Sequence, residues 1–401
     1  MLKENITLPA GFSAAGIASG LKQDKKDLAL IYCDRPAVTA GVFTTNLVKG
    51  DSLVLTKERV AVNHAAQAIV INAGNANACT GLQGYKDAQT MAREAGRALS
   101  IDPELVLVGS TGVIGQPLDL PPLKDAIHRA AKKLATGPQA GHEANQAMLT
   151  TDLTTKEIGV NFPLGYGRAS IGGMAKGSGM IHPNMATMIA ILTTDARITA
   201  DALQKALNDA VYYSFNRVSV DGDTSCCDMV LIMSSGRAEH PLITDLNTSE
   251  GQAFSKNLAH VCRSLSRMIA ADGEGASKLV DICVNGATDG EAAYKAALAV
   301  AKSPLVKTAI FGEDANWGRI LNAVGYSGAQ FDPTRTDIYI GELQVCKDGM
   351  GLDFDEKEAK KILQRKEVTV TIELNSGYAS DHFWTCDFTH DYIKINADYR
   401  S

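Results

Sequence analysis

The sequence predicts a mixed fold, α/β or α+β, for this chain of 401 residues. Short apolar runs with the length of buried strands alternate with longer stretches in which apolar residues recur every three or four positions. The two patterns mix along the whole chain, which argues against a separate all-β module. A chain of this length can form one large domain or two, with a sizeable hydrophobic core.

Eight apolar runs predict strands, and they cover residues 28–33, 68–72, 105–108, 188–192, 229–233, 279–284, 337–340 and 368–374. Six stretches with helical periodicity predict helices, and they cover residues 86–99, 121–134, 200–213, 251–271, 289–302 and 356–364. The helix from residue 251 has an apolar face made of Phe254, Leu258, Val261, Leu265 and Ile269. Residues 135–145, rich in glycine, glutamine and small side chains, predict a linker, and the charged stretch 355–366 predicts a solvated helix face.

Charge and cysteine usage exclude several classes of protein. The net charge is −6 and the pI is near 5.8, so no basic field would attract nucleic acid. No apolar run approaches the ~20 residues that span a membrane, and the first residues lack the apolar core of a signal peptide. The eight cysteines are scattered, with one close pair, Cys226 and Cys227, and no zinc-binding spacing. We therefore expect reduced thiols in a cytoplasmic protein without a metal site.

A glycine-rich loop that leads into a lone threonine is the most informative segment of the chain. The loop contains Gly177, Gly179 and Pro183, and Thr187 opens the apolar run 188–192. Glycine and proline can hold unusual backbone angles, and strain is stored at tight functional turns. The pattern indicates a rigidly held hydroxyl at the edge of a buried strand.

Cleavage of the chain before Thr187 would turn this hydroxyl into a catalytic group. A threonine hydroxyl is a poor nucleophile and needs an adjacent base. An N-terminal α-amine on the same residue supplies that base, with a reference pKa of about 7.7–8.0. Ala186 is small, so the Thr187 hydroxyl could reach the carbonyl group before it. The alternative interpretation is a glycine-rich connection that enters a core strand.

Eight segments resemble, in the right order, the ornithine acetyltransferase family, also called glutamate N-acetyltransferase. Residues 176–188 resemble its self-processing segment, and the other matches are residues 72–81, 110–115, 150–152, 219–225, 272–276, 311–319 and 394–401. Together they span almost the whole chain. One departure is Cys226-Cys227, which stands where the family commonly has Thr-Asn and replaces strong hydrogen-bonding groups with weak ones.

The resemblance implies a layered α/β/β/α fold with two lobes. It also implies that the chain cuts itself between Ala186 and Thr187. Residues 1–186 would form an α fragment with the oxyanion hole and the processing segment, and residues 187–401 a β fragment that begins with the nucleophile. The two fragments are expected to stay associated, as a heterotetramer with two copies of each.

The activity implied by the resemblance is acetyl transfer in arginine biosynthesis. Thr187 would take the acetyl group of N-acetylornithine, with its own α-amine as base, and pass it to glutamate. Two half-reactions through one covalent intermediate predict ping-pong kinetics. No cofactor is required. Some members of the family also accept acetyl-CoA as a donor, and no motif decides whether this chain does.

Thr111 and Gly112 match the oxyanion hole of the family. They follow the predicted strand 105–108, so they lie at a strand end. Preorganised donors must meet the negative charge that develops when a nucleophile attacks an acyl carbonyl, and a glycine lets its N–H approach a ligand closely. A plain strand-to-loop turn is the alternative.

The resemblance assigns substrate contacts to Thr187 and to Thr150, Lys176, Glu274, Asn396 and Ser401. Lys176 offers a cation for a substrate carboxylate, and Glu274 offers a carboxylate for an amino group of ornithine. Asn396 and Ser401 would place the chain end over the active site. Without the resemblance, these positions would be a capping residue, a solvated lysine, a turn and a frayed terminus. Thr151 adjoins Thr150, and which of the two binds substrate stays open.

Three other residues with reactive side chains are left out of the predicted site. His182 would lie on the other fragment from Thr187 after cleavage, and the family does not rely on a histidine base. Asp221 and Asp223 suggest a metal loop, but the spacing of an EF-hand is absent.

Two rival functions remain at this stage. A self-processed amidohydrolase or aminopeptidase would use the same nucleophile and pass the acyl group to water. A non-catalytic protein that binds small anions would use the glycine-rich loops alone. Residues 173–178 loosely resemble a phosphate loop, but the order Lys-Gly-Ser fails the pattern Gly-Lys-Ser.

Overall fold

The computed structural model describes residues 2–182 and 188–398, and within them two mixed β-sheets carry helices on their outer faces. This architecture confirms the predicted α/β class. Thr187 and Ala186, the two sides of the predicted cleavage, and Ser401 lie outside the described residues. In the described part of the chain, no helix is both long enough and apolar enough to cross a membrane.

The strands of the described chain are β1 (Phe12–Ile17), β2 (Leu28–Phe43), β3 (Ala65–Asn75), β4 (Val106–Val113), β5 (Lys156–Leu164), β6 (Gly167–Lys176), β7 (Ile189–Thr194), β8 (Met229–Ser234), β9 (Leu279–Ala287), β10 (Asp337–Ile340), β11 (Leu343–Lys347), β12 (Met350–Gly351), β13 (Glu367–Glu373) and β14 (Ala379–Cys386).

The α-helices of the described chain are α1 (Asp51–Asn63), α2 (Leu82–Leu99), α3 (Leu120–Lys132), α4 (Pro138–Met148), α5 (Ala200–Tyr212), α6 (Ser249–Ala271), α7 (Gly290–Lys302), α8 (Pro304–Phe311), α9 (Trp317–Gly325), α10 (Glu356–Leu363) and α11 (His390–Asp398).

The larger sheet has the strand order β4-β3-β2-β8-β7-β6-β5, and β1 pairs with β2 beside this path. Strands β3 and β4 run parallel, as do β7 and β8, and the other neighbours are antiparallel. The long strand β2 joins two parts of the sheet. Its first half pairs with β1 and β3, its second half pairs with β8, and the register shifts between Tyr32 and Ala37.

Successive side chains of a strand point to opposite faces, and in β3 they enter two different cores. Ile69 and Ile71 lie in an inner core, whereas Ala68 and Val70 lie in an outer core shared with α2 and α3. This part of the sheet is therefore a layer between the inner core and a pair of helices.

Strand β7 shows the same alternation in the other part of the sheet. Ile189 and Ile191 lie in the same inner core as the β3 isoleucines, whereas Ala190 and Leu192 face another outer core, shared with α5 and α6. The order of layers is helices α2 and α3, one part of the larger sheet, the other part of the same sheet, and helices α5 and α6. This is the α/β/β/α arrangement that the resemblance implies.

The smaller sheet forms a second lobe with a core of its own. Its strand order is β12-β11-β10-β13-β9-β14. Apolar side chains of β9, β10 and β13 pack there against residues of α7, α8, α9 and α10. Helix α6 contacts β9 and β14 as well as the larger sheet, so it lies between the lobes.

The predicted linker at residues 135–145 is wrong. Most of it belongs to helix α4, whose Ala144, Ala147 and Met148 lie in the inner core. Helix α4 lies directly against β1, where a Cβ atom on Gly16 of the strand would come within 1.8 Å of the carbonyl oxygen of Glu143 in the helix. An approach this close leaves room only for small residues between the two elements. The composition that indicated a loop is that of a closely packed helix.

The charged stretch 355–366 does contain a helix, α10, but only part of it is solvated. Ala359, Ile362 and Leu363 are buried in the core of the second lobe, and the charged side chains lie on the other face. Apolar residues at this spacing form one stripe of an amphipathic helix.

Candidate active site

Six of the predicted site residues line one cavity of about 230 Å³, although they are far apart in the sequence. Strand β4 contributes two of them, and the others come from the loop after α4, the end of β6, the turn after α6 and helix α11. They are Thr111, Gly112, Thr150, Lys176, Glu274 and Asn396. The structure thus brings together every predicted site residue that it describes.

Gly112 lies where the backbones of β3 and β4 approach each other most closely. Its φ is +129°, and a Cβ atom there would come within 2.4 Å of the carbonyl carbon of Gly74. The register of the two strands shifts between Gly74 and Asn75, at the same place. A position with positive φ and no room for a side chain accepts only glycine. Close backbone contact with β3 therefore fixes the conformation of this strand end, where Gly112 lines the cavity.

Lys176 is a buried cation at the end of β6. Only 4% of the residue is exposed, and its Nζ atom donates to the Oγ1 atom of Thr111 at 3.4 Å. A buried ammonium needs anionic or polar partners because leaving water is costly. Its position beside the Thr111 hydroxyl places positive charge at the end of β4.

Asp152 holds two lining segments of the cavity in place. Its Oδ2 atom accepts from the backbone N–H of Thr150 at 3.0 Å, and its Oδ1 atom accepts from the N–H of Gly177 at 2.6 Å. Burial alone would raise the pKa of Asp152, but the ammonium groups of Lys156 and Lys176 outweigh burial and hold that pKa well below its ordinary value. The carboxylate is therefore charged at neutral pH. Thr151 also lines the cavity, so the choice between the two threonines stays open.

A wholly buried lysine connects this carboxylate to a second one. The Nζ atom of Lys156 lies 2.7 Å from Asp152 Oδ1 and 2.5 Å from Asp272 Oδ2. Asp272 Oδ2 also accepts from the N–H groups of Leu153 and Thr154. The cluster locks the loop before β5 to the end of α6. Sequence reasoning missed Lys156 and Asp272 because they are 116 positions apart.

Glu274 lies on the turn after α6 with its carboxylate against the glycine-rich loop. A Cβ atom on Gly179 would come within 2.2 Å of the Glu274 carboxyl carbon. The Nδ2 atom of Asn396 donates to Glu274 Oε2 at 2.8 Å. The backbone N–H of Glu274 donates to the carbonyl group of Ser178 at 3.0 Å. A side chain on Gly179 would displace this carboxylate from the cavity wall.

Helix α11 closes one side of the cavity with Tyr392 and Asn396. The chain up to Asp398 is thus helical and docked, where a frayed terminus was the default expectation. Burial raises the pKa of Tyr392, and the carboxylates of Asp221 and Glu274 raise it further, so the phenol is neutral. The terminal segment therefore lies next to the predicted substrate-binding residues.

Asp221 is a site residue whose role the sequence did not indicate. Its carboxylate accepts from the N–H groups of Met180 at 2.5 Å and Ile181 at 2.9 Å, so it holds the backbone that leads toward position 187. Burial raises the pKa of Asp221 to about 6, and the hydrogen bonds from backbone N–H groups oppose that rise. His182 follows in the chain, and burial lowers its pKa to about 4, with a smaller contribution from Lys302, so its ring is neutral at pH 7.

Asp228 is a second buried carboxyl group near position 187. It precedes β8, and the N–H of Met229 donates to the carbonyl group of Met188 across the strand pair. Burial raises the pKa of Asp228 well above its ordinary value, although Lys176 opposes the rise. Among the described residues its Oδ2 atom has no hydrogen-bond partner. Burial thus favours the protonated form of this group, which lies one strand away from Met188, the residue that follows Thr187.

The described residues contain no group of three or more histidine, cysteine, aspartate or glutamate side chains that could hold a metal ion.

Proteins with similar sequences share one name. The profile of the ArgJ family matches residues 13–401. The arginine biosynthesis bifunctional protein ArgJ of Symbiobacterium thermophilum is 49% identical, over 100% of this chain and 99% of its own length. The protein of the same name from Caldanaerobacter subterraneus is 47% identical, over 100% of both chains.

A solved structure carries the same name. The crystal structure of arginine biosynthesis bifunctional protein ArgJ from Bacillus halodurans is 42% identical, with a TM-score of 0.50. The match covers 52% of this chain and 97% of that one. The crystallised chain is therefore about half as long as this chain.

Proposed function

Because the chain belongs to the ArgJ family of arginine-biosynthesis enzymes, we propose that it transfers the acetyl group of N-acetylornithine to glutamate through an acetyl-Thr187 intermediate. Membership of the family and the class of enzyme, an acyltransferase, agree with the sequence-based prediction. The observation that carries the proposal is the single cavity into which six predicted residues from five separate segments converge.

In the proposed first half-reaction, the hydroxyl of Thr187 attacks the acetyl carbonyl carbon. The hydroxyl proton passes to the α-amine of Thr187, and the carbonyl oxygen becomes negatively charged. When the tetrahedral intermediate collapses, the carbon–nitrogen bond breaks and the α-ammonium returns the proton to the departing amine of ornithine. The acetyl group remains as an ester on Thr187.

Thr111 and Gly112 are the proposed oxyanion hole. The end of β4 is fixed by backbone contact with β3, so donors there are preorganised and need not reorient as charge develops. The ammonium of Lys176, in contact with the Thr111 hydroxyl, adds positive charge to the same region. Charge stabilisation is strongest in a site from which water is largely excluded.

Lys176 and Glu274 are the proposed substrate-binding charges, with Thr150, Asn396 and Ser401 as further contacts. Both substrates carry an α-carboxylate, and a buried cation is a suitable partner for it. The δ-ammonium of ornithine is complementary to the Glu274 carboxylate, which Asn396 orients through its amide hydrogen bond. In the second half-reaction the α-amine of glutamate attacks the ester carbonyl of acetyl-Thr187, the carbon–oxygen bond to Thr187 breaks, a proton returns to the Thr187 hydroxyl through the α-amine, and N-acetylglutamate leaves.

Self-cleavage between Ala186 and Thr187 is part of the proposal because it supplies the α-amine. It is supported by the length of the crystallised relative, which is that of a chain cut near its middle. It is also supported by Asp221, which fixes the backbone at residues 180 and 181, shortly before the proposed cut. The products would be residues 1–186 and 187–401, held together as one protomer and assembled with two copies of each fragment.

Two finer points of the proposal concern the donor and the compartment. The relatives are named bifunctional, which supports a second activity, acetylation of glutamate from acetyl-CoA. The transfer from N-acetylornithine needs no cofactor, since protein groups carry each step. All eight cysteines are free thiols, as expected of a protein from a reducing compartment, which supports a cytoplasmic location.

Intact-mass spectrometry before and after incubation with N-acetylornithine tests the proposal. We expect two fragments of 186 and 215 residues (401 − 186 = 215), with an acetyl group on the second. The variant Thr187→Ala should remain one uncut chain without an adduct, whereas Thr187→Ser, which keeps a hydroxyl group, should still cut. An uncut wild-type protein without an adduct would contradict the mechanism.

The fate of the acetyl group distinguishes transfer from hydrolysis. Isolated acetyl-enzyme should persist in buffer and lose its acetyl group when glutamate is added, with formation of N-acetylglutamate. Rapid loss to water at a rate that glutamate does not change would favour the amidohydrolase alternative.

A further inference from the structure

Two adjacent thiols form part of the cavity wall although the proposed reaction does not use them. Cys226 and Cys227 lie before β8, and both line the cavity together with Thr111 and Lys176. Their Sγ atoms are 3.4 Å apart, which is within hydrogen-bonding distance for sulfur. The two residues are 4% and 6% exposed, so they meet solvent through the cavity.

We propose that Cys226 is a reactive thiolate in the transfer cavity, a site of covalent modification by small uncharged electrophiles, and that Cys227 activates it by donating a hydrogen bond. Modification of Cys226 would fill part of the cavity and block substrate. This last consequence rests on the proposed function, whereas the reactivity of the thiol does not.

The hydrogen-bond pattern determines which sulfur carries the charge. Cys227 donates its S–H to the carbonyl oxygen of Ala76 at 3.5 Å, and in the 3.4 Å contact between the two sulfurs either atom can be the donor. A thiolate on Cys227 would face that carbonyl oxygen, whereas a thiolate on Cys226 can accept the Cys227 proton. When Cys226 ionises, its thiolate is the stronger acceptor because hydrogen bonds to ionised groups are stronger than those to neutral ones. The hydrogen bond from Cys227 lowers the pKa of Cys226 to about 7 and raises that of Cys227 well above its ordinary value.

Charged groups of both signs line the cavity around the pair, so the hydrogen bond from Cys227 is what favours the thiolate. Burial raises the pKa of the neighbouring Asp228 carboxyl well above its ordinary value, which reduces its repulsion of a thiolate. Lys176 supplies positive charge from β6, on the same cavity wall. Three carboxyl groups also line the cavity: Glu274, Asp223, which is three positions before Cys226, and Asp221, which with a pKa of about 6 is mostly ionised at pH 7. Thiolates, not thiols, are the nucleophiles of cysteine chemistry.

Two modification reactions follow from this arrangement. With iodoacetamide, the sulfur attacks the methylene carbon, a carbon–sulfur bond forms and iodide leaves. With hydrogen peroxide, the sulfur attacks one oxygen, the O–O bond breaks, Cys226 is oxidised to a sulfenic acid and the peroxide is reduced to water. A disulfide with Cys227 is disfavoured, because adjacent Cα atoms are about 3.8 Å apart and disulfides usually need about 4.4–6.8 Å.

Competitive alkylation of the full-length protein tests the proposal, with exposed Cys79 as the internal reference. At pH 7 about half of Cys226 is ionised, against about 3% of a thiol with the ordinary pKa of about 8.5. The lower nucleophilicity of an acidic thiolate removes part of this advantage. We therefore expect iodoacetamide to label Cys226 about threefold to fivefold faster than Cys79 at pH 7, and more slowly than Cys79 at pH 9.

Peptide mass spectrometry over this pH range gives the rates of both sites in one sample. Cys227→Ala removes the donor and should slow the labelling of Cys226 at pH 7 and shift its pH midpoint upward, whereas Cys226→Ser should remove the label at position 226 and leave the labelling of Cys79 unchanged. Ornithine should protect Cys226 and leave Cys79 unchanged. The absence of a crossover between pH 7 and 9 in the wild-type protein, or labelling of Cys227 first, would overturn the proposal.

These measurements use no transfer assay, so they separate this proposal from the proposed function. A protein that transfers no acetyl group but shows the crossover would keep the reactive thiolate and remove the acetyltransferase mechanism. A protein that transfers acetyl normally but shows no crossover would keep the acetyltransferase mechanism and remove the reactive thiolate.

Discussion

The substitution Gly112→Ala tests the proposed oxyanion hole through backbone geometry alone. The added Cβ atom would lie 2.4 Å from the carbonyl carbon of Gly74 and 2.7 Å from the backbone nitrogen of Asn75. Both neighbours are backbone atoms of a paired strand, so neither can rotate away as a flexible side chain could. The end of β4 must therefore move away from β3, and the N–H of Gly112 moves with it.

The expected loss has two parts that can be measured separately. Loss of one oxyanion donor typically costs about 2.7–4 kcal/mol of transition-state stabilisation, or about 10²–10³ in kcat. A non-glycine residue held at positive φ costs about 1–3 kcal/mol of folding free energy. Transfer of acetyl from N-acetylornithine to glutamate gives kcat and KM, and urea unfolding gives the free energy of unfolding.

Gly115→Ala is the matched control. Gly115 also has a positive φ, +80°, but no atom lies within 4 Å of the added Cβ. We expect it to lose a similar amount of stability while kcat stays near the wild-type value. If folded Gly112→Ala retained kcat within about threefold of the wild type, or changed KM alone, the oxyanion role would be refuted.

Three further predictions concern the surroundings of the cavity. Lys156→Met leaves two buried carboxylates without their cation and should destabilise the fold by about 3–5 kcal/mol, whereas Lys295→Met, which breaks an exposed ion pair, should cost less than about 1 kcal/mol in the same urea titration. Burial raises the pKa of Asp221 to about 6, so between pH 4 and pH 6 the native state binds a proton that the unfolded chain has lost. The stability contributed by Asp221 is therefore present below pH 4 and decreases by up to about 3 kcal/mol as the pH rises to 6. Asp221→Asn should flatten the dependence of the free energy of unfolding on pH over this window, and an unchanged slope would refute the raised pKa of Asp221. Asn396→Leu removes the amide donor to Glu274 and should raise KM for N-acetylornithine about tenfold, the equivalent of one charge-assisted hydrogen bond; steady-state kinetics with an unchanged KM would remove helix α11 from the substrate site.

The alternation of apolar patterns was sufficient to predict the α/β class. Apolar residues recur every two positions in a strand with one buried face and about every 3.6 positions in a helix with one buried face, and these periods can be seen in the sequence itself. It failed at residues 138–148, where glycine and alanine form a helix because α4 must approach β1 closely. Close packing selects small residues, and small residues also occur in linkers. Composition cannot separate these causes without knowledge of what the segment packs against.

The site was predictable only as far as individual motifs marked it. Thr111 and Lys176 stood in recognisable segments, and the structure places them 3.4 Å apart. Asp272 also stood in a recognisable segment, but Lys156 did not, and their pairing was not predictable because a buried ion pair is defined by the partner and not by local sequence. Asp221 was considered for a metal because its carboxylate was visible in the sequence, whereas the backbone N–H groups that it accepts from were not.

The strand order of the larger sheet determines how a cut chain could be rebuilt. Strands β7 and β8 follow residue 187 in the sequence, yet they lie between β2 and β6, which precede it. Neither fragment therefore contains the whole larger sheet, although residues 187–401 hold every strand of the smaller sheet. For an uncut chain, refolding is a first-order event, independent of protein concentration. Once the chain is cut, unfolding releases two separate polypeptides, and refolding becomes a bimolecular encounter that slows with dilution. Maturation would thus be a one-way step: the cut enzyme loses nothing while folded, but it recovers from complete unfolding only as fast as its two halves can meet.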